Sequence, residues 1–171
     1  HHEHTEGLFE VNDLYAVEGV FRAVFTSSGL AGLRRLVLEG ERVRRRDVPA
    51  SRLRNTAMAL EDLDLGRSEL GPKNLSALLE FSALTTLERL KLDRSALGDE
   101  GALTLSMWAP FPALRELILA HNNLGALGAK SLARTTALTN LKVLDLQGNL
   151  VRSAGTSALA RSPAFAGLER L

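Results

Sequence analysis

Leucines recur every 27 residues in this chain, at Leu33, Leu60, Leu87, Leu114, Leu141 and Leu168. Each opens the pattern L-x-x-L-x-L-x-x-N-x-L. It is clearest at Leu114, Leu117, Leu119, Asn122 and Leu124. The six starts share one register with no insertion between them. A unit this short cannot bury its apolar face alone, so it must stack on its neighbours. The chain is therefore committed to a quasi-one-dimensional array.

The pattern also fixes what each unit contains. Leucines at the fourth and sixth template positions leave a short strand on the same side, as the two-residue period of a strand requires. A second apolar column, Leu78, Leu105, Leu132 and Leu159, fits the inner face of a helix. A third, Leu84, Phe111, Leu138 and Phe165, fits a plug in the return loop. Parallel strands joined by helical crossovers coil in the right-handed sense. A Leu-Gly step leads into the helices at Leu70-Gly71, Leu97-Gly98 and Leu124-Gly125. Three residues further on stand Asn74, Gly101, Gly128 and Gly155, which predicts a tight left-handed turn there.

The first unit is degenerate. It keeps Leu33, Leu36, Leu38 and Val43, but Glu41 takes the asparagine position, and residues 44–55 are basic. Before it, Leu8 to Val11 reads as a short strand. Asn12 or Asp13 is placed to cap a helix carrying Leu14, Val17, Val20, Phe21, Val24 and Phe25 on one face. The expected organisation is thus a capping strand and helix over residues 1–29, then repeats over residues 30–171, the last incomplete. The apolar end this leaves points to end-to-end self-association, or to a longer repeat protein.

Composition narrows the function. The length of 171 residues suits one domain, and a formal net charge of +1 gives no global field for nucleic acid or an anionic membrane. With no cysteine there is no disulfide or thiolate metal site, which favours a reducing, cytoplasmic setting. No apolar run approaches a membrane span. His1 and His2 look like remnants of a tag. Of the 21 basic residues only 4 are lysines, a bias that suggests a GC-rich bacterial source.

With its Leu-Gly-x-x-Gly-Ala-x-x-Leu segments at Leu97–Leu105 and Leu124–Leu132, the chain resembles the leucine-rich-repeat family, and within it the ribonuclease-inhibitor-like class. The resemblance implies an α/β horseshoe, a right-handed solenoid with a parallel sheet on its concave face and α-helices on its convex face. It implies a non-enzymatic scaffold without cofactors that binds a protein partner on the sheet. A GTPase-activating regulator is a second activity known on such folds. The family's asparagine bonds backbone groups of the turn and of adjacent repeats. Ser68 and Ser95 take its place in two repeats, and Arg152 stands where a glycine is expected.

The register also yields the open surface of the sheet. One column reads Arg35, Asp62, Arg89, Glu116, Val143 and the next Val37, Asp64, Lys91, Ile118, Asp145. Two further columns read Glu39, Gly66, Asp93, Ala120, Gln147 and Gly40, Arg67, Arg94, His121, Gly148. Strands about 4.8 Å apart let charges in one column pair. Two readings stand for this face. It can be a ladder whose charges satisfy one another, or a mixed-charge docking surface on which Arg67, Lys91, Arg94 and His121 beside Ile118 make the contacts. The cluster Arg42, Arg44, Arg45, Arg46, Arg52 and Arg54 offers a third route, to an anion. Against it stand Glu3, Glu6, Glu10, Asp13 and Glu18, whose segment should lie nearby. His121 has no second ligand at metal spacing. No nucleophile elbow, phosphate-binding loop or zinc motif is present.

Overall fold

The structure, a computed structural model, describes residues 8–10, 33–40, 59–80, 82–107 and 111–171. Six three-residue strands form one sheet: β1 (Leu8–Glu10), β2 (Arg35–Val37), β3 (Asp62–Asp64), β4 (Arg89–Lys91), β5 (Glu116–Ile118) and β6 (Val143–Asp145). All pairings are parallel, and the order in space is the order in sequence. The register pairs each residue with the one 27 positions on, as in Leu36 with Leu63 and Leu90 with Leu117. Backbone bonds extend the ladder past the strands. Leu92 N donates to Ile118 O and Arg94 N to Ala120 O, each at 2.9 Å.

Four helices follow β3 to β6: α1 (Gly71–Leu79), α2 (Gly98–Met107), α3 (Ala126–Ala133) and α4 (Arg152–Ala160). They lie on one side of the sheet. Strand leucines Leu63, Leu90, Leu117 and Leu144 share one buried core with helix leucines Leu78, Leu105, Leu132 and Leu159. The return-loop residues Leu84, Phe111, Leu138 and Phe165 close the same core. Each such side chain contributes about 1.5–3 kcal/mol on full burial.

The left-handed turn predicted at Gly101, Gly128 and Gly155 is not there. These residues lie inside α2, α3 and α4. Gly128 and Gly155 are glycine because the preceding helix approaches closely, whereas a Cβ on Gly101 would meet Leu97, just before its own helix, at 2.6 Å. A Cβ on Gly128 would stand 2.6 Å from Asp99 Oδ1 and 3.1 Å from Ala102 Cβ. One on Gly155 would stand 2.8 Å from Ala129 Cβ. Asn74 lies in α1. The left-handed backbone instead occurs at the strand-to-helix turn. Arg67, Arg94 and His121 have φ of 57°, 52° and 55°, and Gly71, Gly98 and Arg152 have φ of 64°, 58° and 55°. Arg152 therefore adopts the conformation that glycine takes at the matching place in two other repeats.

The asparagine column behaves as expected of it. Asn122 is fully buried. Its Oδ1 accepts from Ser95 N at 2.9 Å and Leu97 N at 3.2 Å, while Nδ2 donates to Leu92 O at 2.7 Å and Ala120 O at 3.3 Å. Asn149 repeats this one unit on, accepting from Asn122 N and Leu124 N and donating to Leu119 O and Leu146 O. The serines, with shorter reach, keep part of the pattern: Ser68 Oγ donates to Leu65 O at 2.6 Å, and Ser95 Oγ lies 3.2 Å from the same carbonyl.

Candidate functional site: the open face of the sheet

Strand residues alternate between the leucine core and the open face, so the first and third residues of each strand make that face. Its first column is a continuous ion-pair ladder. Asp62 Oδ2 receives Arg35 Nε at 3.5 Å from one side and Arg89 Nη1 at 3.4 Å from the other. Arg89 turns its Nε to Glu116 Oε2 at 2.7 Å. Val143 breaks the alternation, and Arg170 reaches past it to within 3.9 Å of Glu116. The bond to Glu116, working against partial burial, leads the effects that raise Arg89 above the ordinary arginine range.

In the next column Lys91 Nζ donates to Asp64 Oδ2, and Asp64 is buried with its other oxygen accepting from Gly66 N at 2.9 Å. Burial disfavours the ammonium of Lys91. The hydrogen bond to Asp64 and the charges of Asp64, Asp93 and Glu39 outweigh it and raise the lysine above its usual value. At the rim Arg67 Nε pairs with Glu39 Oε1 at 3.3 Å. The structure thus joins Arg35, Asp62, Arg89 and Glu116 in one ladder, and pairs Lys91 with Asp64 and Arg67 with Glu39.

Arg94, His121 and Ile118 fall outside these pairs. Arg94 and His121 are exposed, and neither has an ion-pair partner among the described residues. The His121 ring lies over Gly148, where a Cβ would stand 2.2 Å from Nδ1. Ile118 and Val143 are half-buried, beside buried Ala120. The open face is therefore divided. Its β2–β4 part is covered by charges that neutralise one another. Around β5 and β6 it offers apolar side chains edged by an uncommitted cation and an imidazole.

Two further features of this face and its turns have a signal in the sequence. The residue before each strand forms a second charge column, Arg34, Glu61, Glu88, Arg115, Lys142 and Glu169. In it Arg34 pairs with Glu61, and Lys142 with Glu169 at 3.2 Å. Asp99, in the first turn of α2, reaches across to the next repeat. Its Oδ1 accepts from Gly125 N at 2.6 Å and Gly128 N at 2.8 Å, capping α3 from outside that helix. The pattern Gly98-Asp99-Glu100-Gly101 carries it, but only the inter-repeat register shows which helix it caps. The arginine cluster of residues 42–54 lies outside the described residues. Among the described residues no group of three or more histidines and carboxylates could hold a metal ion, and no helix is long and apolar enough to cross a membrane.

A family model described as Leucine Rich repeat matches residues 83–106, 112–133 and 137–160. Each match runs from a return loop through a strand and turn into the following helix, and the three fall in consecutive repeats. Residues 83–160 thus carry three consecutive repeats of the leucine-rich-repeat family. No curated protein matches it in sequence.

Proposed function

We propose that this leucine-rich-repeat protein is a non-enzymatic scaffold that presents the open, concave face of its sheet to a protein partner. The observation that carries the reading is the division of that face. Where the charges are mutually paired, a partner would have to displace bonds already made. Around β5 and β6, Arg94, His121, Ile118 and Val143 offer contacts without that cost. The rest of the expected set, Arg35, Asp62, Asp64, Arg67, Arg89, Lys91 and Glu116, serves in this reading as a rigid polar border. An α-helix of 8 to 10 residues in each described repeat supports the ribonuclease-inhibitor-like class. The absence of cysteine suits a cytoplasmic scaffold.

The test is partner capture by immobilised protein with the Arg94→Glu, His121→Glu double variant beside the wild type. Both side chains are exposed, so the fold should survive, and circular dichroism checks this. The proposal expects a protein retained by the wild type and lost by the variant. Equal retention by both would remove the β5–β6 face from the interface.

A second reading concerns the β6 edge. An open cleft of about 630 Å³ lies there, lined in part by Leu144, Leu146, Val151, Leu159 and Leu171. It is a surface on which end-to-end self-association could be built, and Leu146→Asp should abolish any assembly that uses it.

A further inference from the structure

The helical side of the molecule carries a cluster of cations. From Ala126 to Gly167 the only carboxylate is Asp145, and it lies in β6 on the open face of the sheet, across the leucine core. The same stretch places Lys130 and Arg134 on α3 and Arg161 just after α4. All three are exposed, and none forms an ion pair among the described residues. The 27-residue register sets Arg161 beside Arg134, and Lys130 is one turn from Arg134. Like charges four residues apart on a helix repel. The fold gains nothing from this grouping, whereas an external anion would relieve it.

Large apolar side chains stand in the same surface. Leu103 is 46% exposed, Met107 75% and Leu127 68%. Helices α2 and α3 pack in register, with Ala102 Cβ against Gly128, so Leu103 lies beside Lys130 and Met107 beside Arg134. Leu127 is one turn before Lys130 on α3. Apolar groups and cations therefore alternate over the α2–α4 ridge. Exposed apolar groups gathered in this way mark a contact surface. The charges toward α1 are mixed: Lys73 stands on α1, while Glu80 borders Met107 and Glu100 borders Leu127.

An occupant of this ridge must offer anions and an apolar layer to one and the same surface. The interface of an anionic bilayer does so. Lysine and arginine stems reach lipid headgroups with their charged ends, while leucine and methionine enter the acyl boundary. A nucleic acid backbone would satisfy the cations but set Leu103 and Met107 against phosphate. We propose that the helical face from α2 to α4 docks on an anionic lipid surface. The formal net charge of +1 does not oppose this, because the carboxylates of the open face lie across the core from the ridge. The sheet faces away from the lipid, so this docking neither rests on the protein-binding reading nor competes with it.

Vesicle co-sedimentation of the full chain tests this, with phosphatidylcholine vesicles containing about 30% phosphatidylserine beside vesicles of phosphatidylcholine alone. The wild type should pellet with the anionic vesicles, stay in solution with the neutral ones, and be released as salt rises. Lys130→Glu with Arg134→Glu should weaken binding by about tenfold or more. Leu103→Asp with Met107→Asp should also weaken it, and Glu80→Gln with Glu100→Gln should tighten it. All six side chains are exposed, and circular dichroism checks that each variant is folded. A wild type that ignores the anionic vesicles, or binds both kinds equally, would overturn the proposal. Binding lost with the cations but untouched by Leu103→Asp with Met107→Asp, and matched by binding to heparin, would assign the ridge to a soluble polyanion and overturn it too. Binding lost only with Arg94→Glu and His121→Glu would move the contact to the sheet, with the same result.

Discussion

Asn122 and Asn149 make nearly the same hydrogen bonds in different surroundings, so together they measure what burial does to a bond. Asn122→Ala removes the acceptor of Ser95 N and Leu97 N and the donor to Leu92 O, at a site with no solvent exposure. Ala120 O still receives Arg94 N, so the lost bond there matters least. Two amides are left buried without a partner, at about 1–3 kcal/mol each, so the expected loss is about 3–5 kcal/mol. Asn149→Ala frees Asn122 N and Leu124 N at a half-buried position near the last repeat. Water can take over part of what the side chain did, and the expected loss is about 1–2 kcal/mol. Urea unfolding followed by far-UV circular dichroism reads both values. Asn122→Ser adds a middle point: a serine there, like Ser68 and Ser95, keeps a donor to a carbonyl but loses the reach to the amides. Equal losses for the two alanine variants, or a larger loss at Asn149, would refute the argument that burial sets the magnitude.

Three further outcomes follow from particular contacts. Asp99→Ala should destabilise by about 1–3 kcal/mol, because Gly125 N and Gly128 N lose a charged cap at a helix start; thermal unfolding measures it. Arg152→Gly should stabilise by about 0.5–1 kcal/mol, since glycine carries a left-handed φ without the Cβ clash; a higher urea midpoint at unchanged slope is the expected sign. Lys91 is raised in the folded state, so its contribution is fully present below the ordinary lysine range and is lost as pH rises through the folded value. The stability gap between wild type and Lys91→Met should stay level at neutral pH and narrow under alkaline conditions, in unfolding curves taken across that range.

The strands and core were legible because one residue type at one interval governs both. Leu36, Leu63, Leu90, Leu117 and Leu144 could be placed inward before any contact was known, and the alternation Arg35, Asp62, Arg89, Glu116 then placed the ladder. The backbone of the turns was not legible in the same way. Glycine at Gly128 and Gly155 reads locally as a turn residue, yet its cause is the neighbouring helix, which a single repeat does not contain. Conversely, Arg67 and Arg94 have no left-handed preference of their own, and His121 has only a slight one. That backbone is held by inter-repeat bonds such as Arg67 N to Asp93 O at 2.7 Å and His121 N to Gln147 O at 2.8 Å. Stacking overrides local propensity wherever the partner group belongs to the next repeat.

The same coupling bears on how the open face would work. Arg94 and His121 each stand on a turn whose amide is bonded to the following repeat, and Asn122 and Asn149 tie those turns to their neighbours through side-chain bonds. The two side chains therefore start from backbone positions that are fixed before a partner arrives. The entropy cost of ordering the site falls mainly on side-chain rotamers, while the backbone cost is already met by folding. A contact surface of modest area can then bind with useful strength. On these grounds a substitution at Asn122 or Asn149 should weaken partner binding without touching the partner, by loosening the turn that carries His121.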